Sequence, residues 1–116
     1  DIVFRELFLG FVKIHILYYA SKEAVYGSAL LKELARHGYD LSPGTLYPAL
    51  HRLHARGYLT QDVRVVGGRV RKYYTITEKG LAALAQAREY IGELVDEVLE
   101  DKHPPIQDDT DMSGSA

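Results

Sequence analysis

The 116-residue sequence contains no cysteine, so the chain forms no disulfide bond and binds no metal through thiolates. This absence is typical of intracellular proteins, and we expect a cytoplasmic location. Prolines are also few, with four in all. Two of them, Pro43 and Pro48, nevertheless lie in one segment, LSPGTLYPALHRL (41–53). The leucines of this segment are spaced as in a helix. A proline inside a helix removes a backbone hydrogen bond, so its presence there needs an explanation.

Long apolar runs are missing as well. The most apolar stretch, residues 7–19, is shorter than the roughly 20 residues of a membrane-spanning helix and contains Lys13 and His15. It also lacks the small-residue cleavage pattern of a secretory signal. We therefore expect neither a membrane segment nor a signal peptide. Because the chain begins with Asp1 and not with methionine, we expect further residues to precede it.

The chain also has no net positive charge: its formal net charge is −2. Taken alone, this value argues against nucleic acid as a partner. The charge is unevenly distributed, however: 0 over residues 1–40, +5 over residues 41–80 and −7 over residues 81–116. A basic middle beside an acidic end indicates one surface that faces a polyanion.

Apolar spacing predicts three helices in the first half of the chain and one long helix near its end. The first, over residues 4–20, is apolar on nearly all sides, which is typical of a mostly buried helix. The second covers residues 26–37, and the third runs from the cap Ser42 to Gly57. The long helix spans about residues 78–100.

Two segments rich in β-branched and aromatic residues, 59–66 and 69–77, predict strands joined by the two-residue turn Gly67-Gly68. Alternation then places Val63, Val65, Val70, Tyr74 and Ile76 on one face and Arg64, Arg69, Arg71 and Tyr73 on the other. Arg64 and Arg71 lie directly opposite each other and repel, and a phosphate backbone would relieve this repulsion. The alternative is a solvated sheet edge with Asp62 as counterion.

The third helix has two unlike sides. At roughly 100° per residue, Leu46, Leu50 and Leu53 cluster on one side. The other side carries Thr45, Pro48, His51, Arg52 and Ala55. This slim polar side suits either the major groove of DNA or plain solvent. Pro48 removes the hydrogen bond to the carbonyl of Gly44 near the helix start, so we expect a kink or a loosened first turn in a helix that otherwise persists.

The long C-terminal helix carries an apolar stripe with spacings of three, four or seven residues. This stripe packs either on the chain's own domain or on a second copy. We favour the second copy, with help from the first helix, because two-fold dimers are the commonest assembly. The residues expected at the dimer interface are Phe4, Phe8, Phe11, Leu81, Leu84, Ile91, Leu94, Val95 and Val98.

Patterns that would indicate an enzyme are absent. His51 and His54 lie three residues apart, but no acidic or histidine partner at a recognisable spacing completes a metal site. No nucleophile–base set, Gly-rich phosphate loop or carboxylate pair stands out. We therefore expect no catalytic residue, no metal and no cofactor.

The order helix, helix, helix, hairpin, helix predicts a mainly α fold with a small β-hairpin. This is a winged helix-turn-helix followed by a long C-terminal dimerisation helix. Three stretches, VYG (25–27), LSPGTLYPALHRLHARGYL (41–59) and GGRVRKYYTITEKGLAAL (67–84), resemble the PadR-type transcriptional regulators. The resemblance extends from residue 4 to about residue 100, and the single C-terminal helix is similar to that of the smaller subgroup.

The resemblance implies a homodimeric repressor that binds double-stranded DNA at a palindromic operator. Residues 1–77 would form the DNA-binding domain, residues 78–100 the dimerisation helix and residues 101–116 a flexible tail. Together with Arg64 from the hairpin pattern, the expected DNA-binding residues are Tyr26, Ser42, Gly44, Thr45, Tyr47, Pro48, His51, Arg52, Gly68, Arg69, Arg71, Lys72 and Tyr73. Two positions depart from the family: Ser28 replaces a frequent aromatic residue, and Val70 replaces a frequent proline or basic residue.

Some members of that family respond to phenolic acids or flat hydrophobic drugs held between the helices of the dimer. This chain has no tryptophan to sandwich a planar ring, but it has five aromatic residues that would line a cavity for a small aromatic effector: Phe4, Phe8, Phe11, Tyr18 and Tyr19. The alternative is that these residues simply form core. A further alternative function is a winged-helix protein-interaction module without DNA binding, which the acidic C-terminal third would suit.

Overall fold

The computed structural model describes residues 1–107. Its helices are α1 (Ile2–Lys22), α2 (Gly27–Arg36), α3 (Pro43–Ala55) and α4 (Glu78–Leu94), and its strands are β1 (Val25–Tyr26), β2 (Leu59–Val66) and β3 (Arg69–Ile76). A π-helical turn, Val95–Leu99, continues α4. The predicted fold class is confirmed: a mainly helical winged helix-turn-helix with a long C-terminal helix.

Strand β1 is an element that the sequence did not predict. It forms the third strand of an antiparallel sheet of order β1-β3-β2, with Val25 opposite Tyr74 and Tyr26 opposite Tyr73. Two residues are too few to show an alternating pattern, so only their pairing with β3 defines them as a strand. The consequence is that the start of α2 is hydrogen-bonded to the base of the hairpin.

Helix α1 is buried over only part of its length, so the predicted mostly buried helix is wrong for its first half. The Asp1 carboxylate caps the helix by accepting the N–H of Val3 at 2.8 Å. Residues 1–7 are all exposed, whereas the second half contributes Val12, Ile16, Leu17 and Ala20 to the core. Within residues 1–107 of a single chain, four apolar residues of this first half remain exposed: Ile2, Val3, Phe4 and Leu7.

The core lies where α1, α2, α3 and the base of the sheet meet. Its fully buried larger side chains are Ile16, Leu30, Leu34, Leu46, Leu50, Leu59 and Val12. Full burial of such a side chain contributes about 1.5–3 kcal/mol relative to exposure. This core therefore holds the helices in place, while the outer part of the hairpin projects from it.

Helix α4 begins against the sheet and then leaves the core. Thr77 caps it: its Oγ1 accepts the N–H of Gly80 at 3.0 Å and donates to the carbonyl of Gly57 at 2.6 Å. Leu84 is the last buried residue of α4, and nearly every residue from 85 to 100 is exposed. The second half of α4 thus projects from the domain with apolar side chains uncovered.

The predicted tail is described only in part. Residues 101–107 form neither helix nor strand, and residues 108–116 lie outside the described residues. Among the residues that the structure describes, no helix is long and apolar enough to cross a membrane. Within the same range, no group of three or more His, Asp or Glu side chains is placed to hold a metal ion.

Candidate nucleic-acid interface

Helix α3 buries its leucine side and exposes a ridge. Leu46 and Leu50 are fully buried, as the spacing predicted. On the exposed ridge lie Gly44, Pro48, His51 and Ala55. The helix is continuous through Pro48, and Gly44, whose carbonyl Pro48 cannot pair, is an exposed residue that water can reach. A proline is therefore accepted here because the lost hydrogen bond is replaced by solvent.

Ser42 occupies the predicted N-cap position of α3, but its side chain does not cap the helix. Its carbonyl accepts the N–H groups of Thr45 and Leu46, both at 3.0 Å. Its hydroxyl lies 3.2 Å from the hydroxyl of Thr45 instead of bonding a backbone N–H. Two hydroxyl groups are therefore paired at the start of the helix.

The hairpin of β2 and β3, called the wing from here on, has the predicted register. Val66 lies opposite Arg69, and Arg64 lies opposite Arg71. Gly67 and Gly68 have φ values of +58° and +78°, which are the values of a type I′ turn. Outside the base of the wing, the predicted apolar face is open to solvent: Val65 is 72% exposed and Val70 is 69% exposed.

The opposed arginines of the wing have partners within the chain, among them Asp62, the counterion of the alternative interpretation. The Arg64 guanidinium lies 4.4 Å from the ring centre of Tyr73 and forms a 2.8 Å ion pair with Asp62. The Arg71 guanidinium lies 4.4 Å from the ring centre of Tyr26. Each cation thus has its own aromatic ring, and the cross-strand repulsion is relieved by cation–π contacts and one carboxylate.

Strand β1 brings Tyr26 into this arrangement. Because Tyr26 pairs with Tyr73 across β1 and β3, their rings lie 5.2 Å apart. The sequence analysis assigned Tyr26 to a phosphate contact from resemblance alone. In the structure it also supports Arg71, and so it links the start of α2 to the wing.

A cleft of about 590 Å³ separates α3 from the wing, and it is called the wing cleft below. The predicted residues that line it are Tyr26, Tyr47, His51, Arg69, Arg71 and Lys72. Among residues 1–107, none of these three cations has a carboxylate within 4.0 Å. The cleft therefore presents an unneutralised positive wall to a polar helix face, an arrangement that can hold an anionic strand.

The other predicted contacts do not lie in the wing cleft. Gly44, Thr45, Pro48 and Arg52 line a second groove, between α3 and α1. Arg64, Gly68 and Tyr73 border neither, and Arg64 is already paired with Asp62. The sequence-predicted site is thus divided between the two flanks of α3 and the tip and outer face of the wing.

Five residues that line the wing cleft were not among the predicted contacts: Gly27, Ser28, Gln61, Val70 and Tyr74. A Cβ atom on Gly27 would lie 2.3 Å from Cε1 of Tyr47, so only glycine permits the tyrosine ring to pack against the start of α2. The Gln61 side chain donates from Nε2 to the hydroxyl of Tyr74 at 3.1 Å. The close approach at Gly27 is a tertiary contact without a sequence signal.

The predicted dimer residues are mostly exposed in the single chain. Phe4 is 69% exposed and Val98 is 72% exposed; Phe11, Leu81, Ile91 and Leu94 are also exposed. Phe8 and Val95 are half-buried. Leu84 differs from the rest, because it is 2% exposed and packs in the chain's own core, so it is not available to a partner.

The aromatic residues considered for an effector cavity do not all form core. Phe4, Phe11 and Tyr18 are exposed, while Phe8 and Tyr19 are half-buried. A groove of about 280 Å³ beside the first half of α1 is lined by Phe4, Leu7, Phe8, Phe11, His37, Gly38 and Tyr39. The alternative that these residues simply form core therefore fails for those that are exposed.

Comparisons with known proteins agree with this geometry. Residues 16–86 match the family described as the Transcriptional regulator PadR-like family. The chain is 50% identical over 95 residues to the Transcriptional regulator Rv3488 of Mycobacterium tuberculosis, covering 82% of this chain and 89% of that protein.

Solved structures of similar proteins have the same fold. A PadR family transcriptional regulator from Eggerthella lenta superposes with a TM-score of 0.74 at 35% identity, covering 84% of this chain and 87% of that one. A PadR-like transcriptional regulator from Bacillus cereus gives a TM-score of 0.73 at 33% identity, covering 83% of this chain and 95% of that one.

Proposed function

The chain belongs to the PadR-like family of transcriptional regulators, and we propose that it is a repressor that binds a palindromic operator as a homodimer. Membership of this family confirms the expectation that the protein is not an enzyme and agrees with double-stranded DNA as its partner. The observation that supports the proposal best is the wing cleft. There, Arg69, Arg71 and Lys72 line the cleft opposite the exposed side of α3, and no carboxylate of residues 1–107 forms an ion pair with them.

In this proposal α3 enters the major groove. Its ridge is slim, because Gly44 and Pro48 have little or no side chain to hold the helix away from the bases. His51 and Arg52 can reach base edges, since imidazole and guanidinium groups donate hydrogen bonds to acceptors in the major groove. The wing cations bind the sugar-phosphate backbone, which fixes the position of α3 without reading sequence.

The homodimer is supported by the uncovered apolar residues at the two ends of the chain. The first half of α1 and the second half of α4 each expose large apolar side chains, among them Phe4 and Val98. Such side chains are rarely left uncovered together on a stable monomer. A two-fold pair of chains would cover them and would also place two copies of α3 on successive major grooves, roughly 34 Å apart.

A small aromatic effector would fit the groove lined by Phe4, Phe8 and Phe11. Its volume of about 280 Å³ in one chain is slightly below that of sites for drug-sized ligands, and a second chain would enclose it further. Binding there would change the relative position of the two chains and release the operator.

The proposal is tested by selecting duplexes from a random DNA pool with the wild-type protein and measuring its oligomeric state by light scattering. We expect a dimer and an inverted repeat. The double variant Arg69→Ala/Arg71→Ala should bind every sequence more weakly, with a smaller salt dependence, because it loses phosphate contacts. Arg52→Ala should change the preferred bases instead, and Lys22→Ala at the exposed end of α1 serves as the control.

Four results would contradict the proposal. If the protein is a monomer, there is no reason to expect a palindromic operator. If no DNA is selected, a protein-interaction module is favoured instead. Wild-type affinity of the double wing variant at several salt concentrations would refute the role of the wing. A reporter gene behind the selected sequence should lose expression when the protein is present, and a gain would contradict repression.

A further inference from the structure

The groove between α1 and α3, called the α1 groove below, lies on a different side of α3 from the wing cleft. Its volume is about 260 Å³. On α3 it is lined by Thr45, Pro48 and Arg52, whereas the wing cleft is lined by Tyr47 and His51. At 3.6 residues per turn the two sets point roughly 110° apart, one on each flank of the exposed ridge.

The α1 groove collects cations from two helices. Its lining includes Arg5 and Lys13 from α1 and Arg52 from α3, together with Thr45, and no Asp or Glu of residues 1–107 lines it. In the described part of the chain, none of the three cations has a carboxylate within 4.0 Å. Arg5 also borders a neighbouring groove that contains Asp1 and Asp40, so Lys13 and Arg52 are the cations that belong to the α1 groove alone.

The positions of the two clefts match the shape of the major groove. A helix that enters the groove has one sugar-phosphate strand on each side of it. The wing supplies cations on one flank of α3, and α1 supplies them on the other. Like charges gathered in one groove repel one another, and a phosphate placed between them removes that repulsion.

We propose that the α1 groove binds a backbone phosphate of the DNA strand opposite to the strand held by the wing, with Lys13 as its main contact. This inference rests on the proposed function, since it needs α3 in the major groove. It extends the DNA interface to α1, a helix whose sequence predicted roles in dimerisation and effector binding but not in DNA binding. The exposed ridge of α3 is then clamped between both strands.

Dimerisation through α1 leaves this groove open. Phe4, Phe8 and Phe11 form one stripe along the helix. The groove residues Arg5, Leu9, Val12 and Lys13 form another, roughly 120° away around the helix axis. A second chain that covers the phenylalanines therefore does not cover Lys13.

The test combines Lys13→Gln with neutral methylphosphonate groups placed one at a time along both strands of the selected duplex. Lys22→Gln is the matched control, because Lys22 is an exposed lysine nine residues further along α1 and on its opposite side. Lys13→Gln should lower the slope of log affinity against log salt by about 0.9 for each bound copy, whereas Lys22→Gln should not. For a fourfold rise in salt, each lost contact corresponds to about a 3.5-fold smaller loss of affinity.

The methylphosphonates identify the phosphate. Neutralising the phosphate that Lys13 binds should lower the DNA affinity of the wild type but not that of Lys13→Gln. The same comparison with Arg69→Ala should identify a phosphate on the other strand. Equal melting temperatures of the variants show that folding is unchanged. If Lys13→Gln has the salt slope of the wild type while Arg69→Ala has a smaller one, or if both couple to one strand, the inference is wrong and the proposed function stands. If no duplex is selected at all, both fail.

Discussion

Replacing Gly27 by alanine should lower DNA affinity while leaving the free energy of unfolding nearly unchanged. A Cβ atom there would lie 2.3 Å from Cε1 of Tyr47, so the ring must move about 1.1 Å to reach a 3.4 Å contact. The ring is able to move because Tyr47 is half exposed. Strain of about 1 kcal/mol is offset in part because alanine lowers the conformational entropy of the unfolded chain, worth about 0.4–1 kcal/mol, so the free energy of unfolding should change by less than about 1 kcal/mol.

DNA affinity should respond more strongly than stability. Tyr47 lines the wing cleft together with Arg71. A ring displaced by about 1 Å loses its proposed contact with the DNA in each bound copy. The loss of about 1–2 kcal/mol that follows corresponds to roughly 5- to 30-fold weaker binding. Fluorescence anisotropy with the selected duplex measures the affinity, and chemical unfolding at equal protein concentration measures the stability.

A double-mutant cycle shows whether Tyr47 transmits the effect of Gly27→Ala. In a Tyr47→Ala background the clash is gone, so Gly27→Ala should have no further effect on affinity. Additive losses in the two backgrounds would refute the reasoning, because alanine at position 27 would then act on DNA by itself. A large loss of stability in Gly27→Ala would refute it as well.

The remaining predictions concern stability and pH. Gly80→Ala should lower the free energy of unfolding by about 2–3 kcal/mol, because its Cβ would lie 2.3 Å from the rigid carbonyl of Tyr58. On the same helix, a Cβ at Gly92 meets open space, so Gly92→Ala should raise the free energy of unfolding by up to about 1 kcal/mol. Equal effects of the two substitutions in chemical unfolding would contradict the packing argument. Burial, and then the nearby His37, lower the pKa of His15. The unfolded chain therefore binds more protons below about pH 6.5, and stability should fall from pH 7.5 to pH 5.5. His15→Phe should weaken this dependence in unfolding curves, and an unchanged dependence would exclude His15 as its source.

The pH prediction depends on an arrangement around His15 that no sequence pattern indicated. His15 stacks on Tyr19 and on His37, with ring centres 5.8 Å apart in both pairs. Its Nδ1 is buried and has no hydrogen-bond partner in the described part of the chain. Protonation would place an unpaired charge in this apolar setting, which is why the neutral form is favoured.

The wing shows how far local sequence determines structure. The register of β2 and β3 followed from a two-residue Gly-Gly turn, and both glycines have the positive φ that a type I′ turn requires. The partners of the arginines did not follow from it. Arg71 stacks on Tyr26, which lies 45 residues earlier in the sequence, and this pairing depends on how α2 is placed against the sheet.

The sequence by itself determined the helices, the hairpin and its register, because these depend on side-chain periodicity and on turn residues within a few positions of each other. It also determined the leucine side of α3, since a 3.6-residue period fixes which residues share a face. Only the tertiary structure decided that α1 is exposed in its first half, that Leu84 belongs to the core, that Gly27 admits the ring of Tyr47, and that Lys13 and Arg52 line one groove. These facts depend on distances between segments remote in sequence, and such distances are set by the packing of the whole domain.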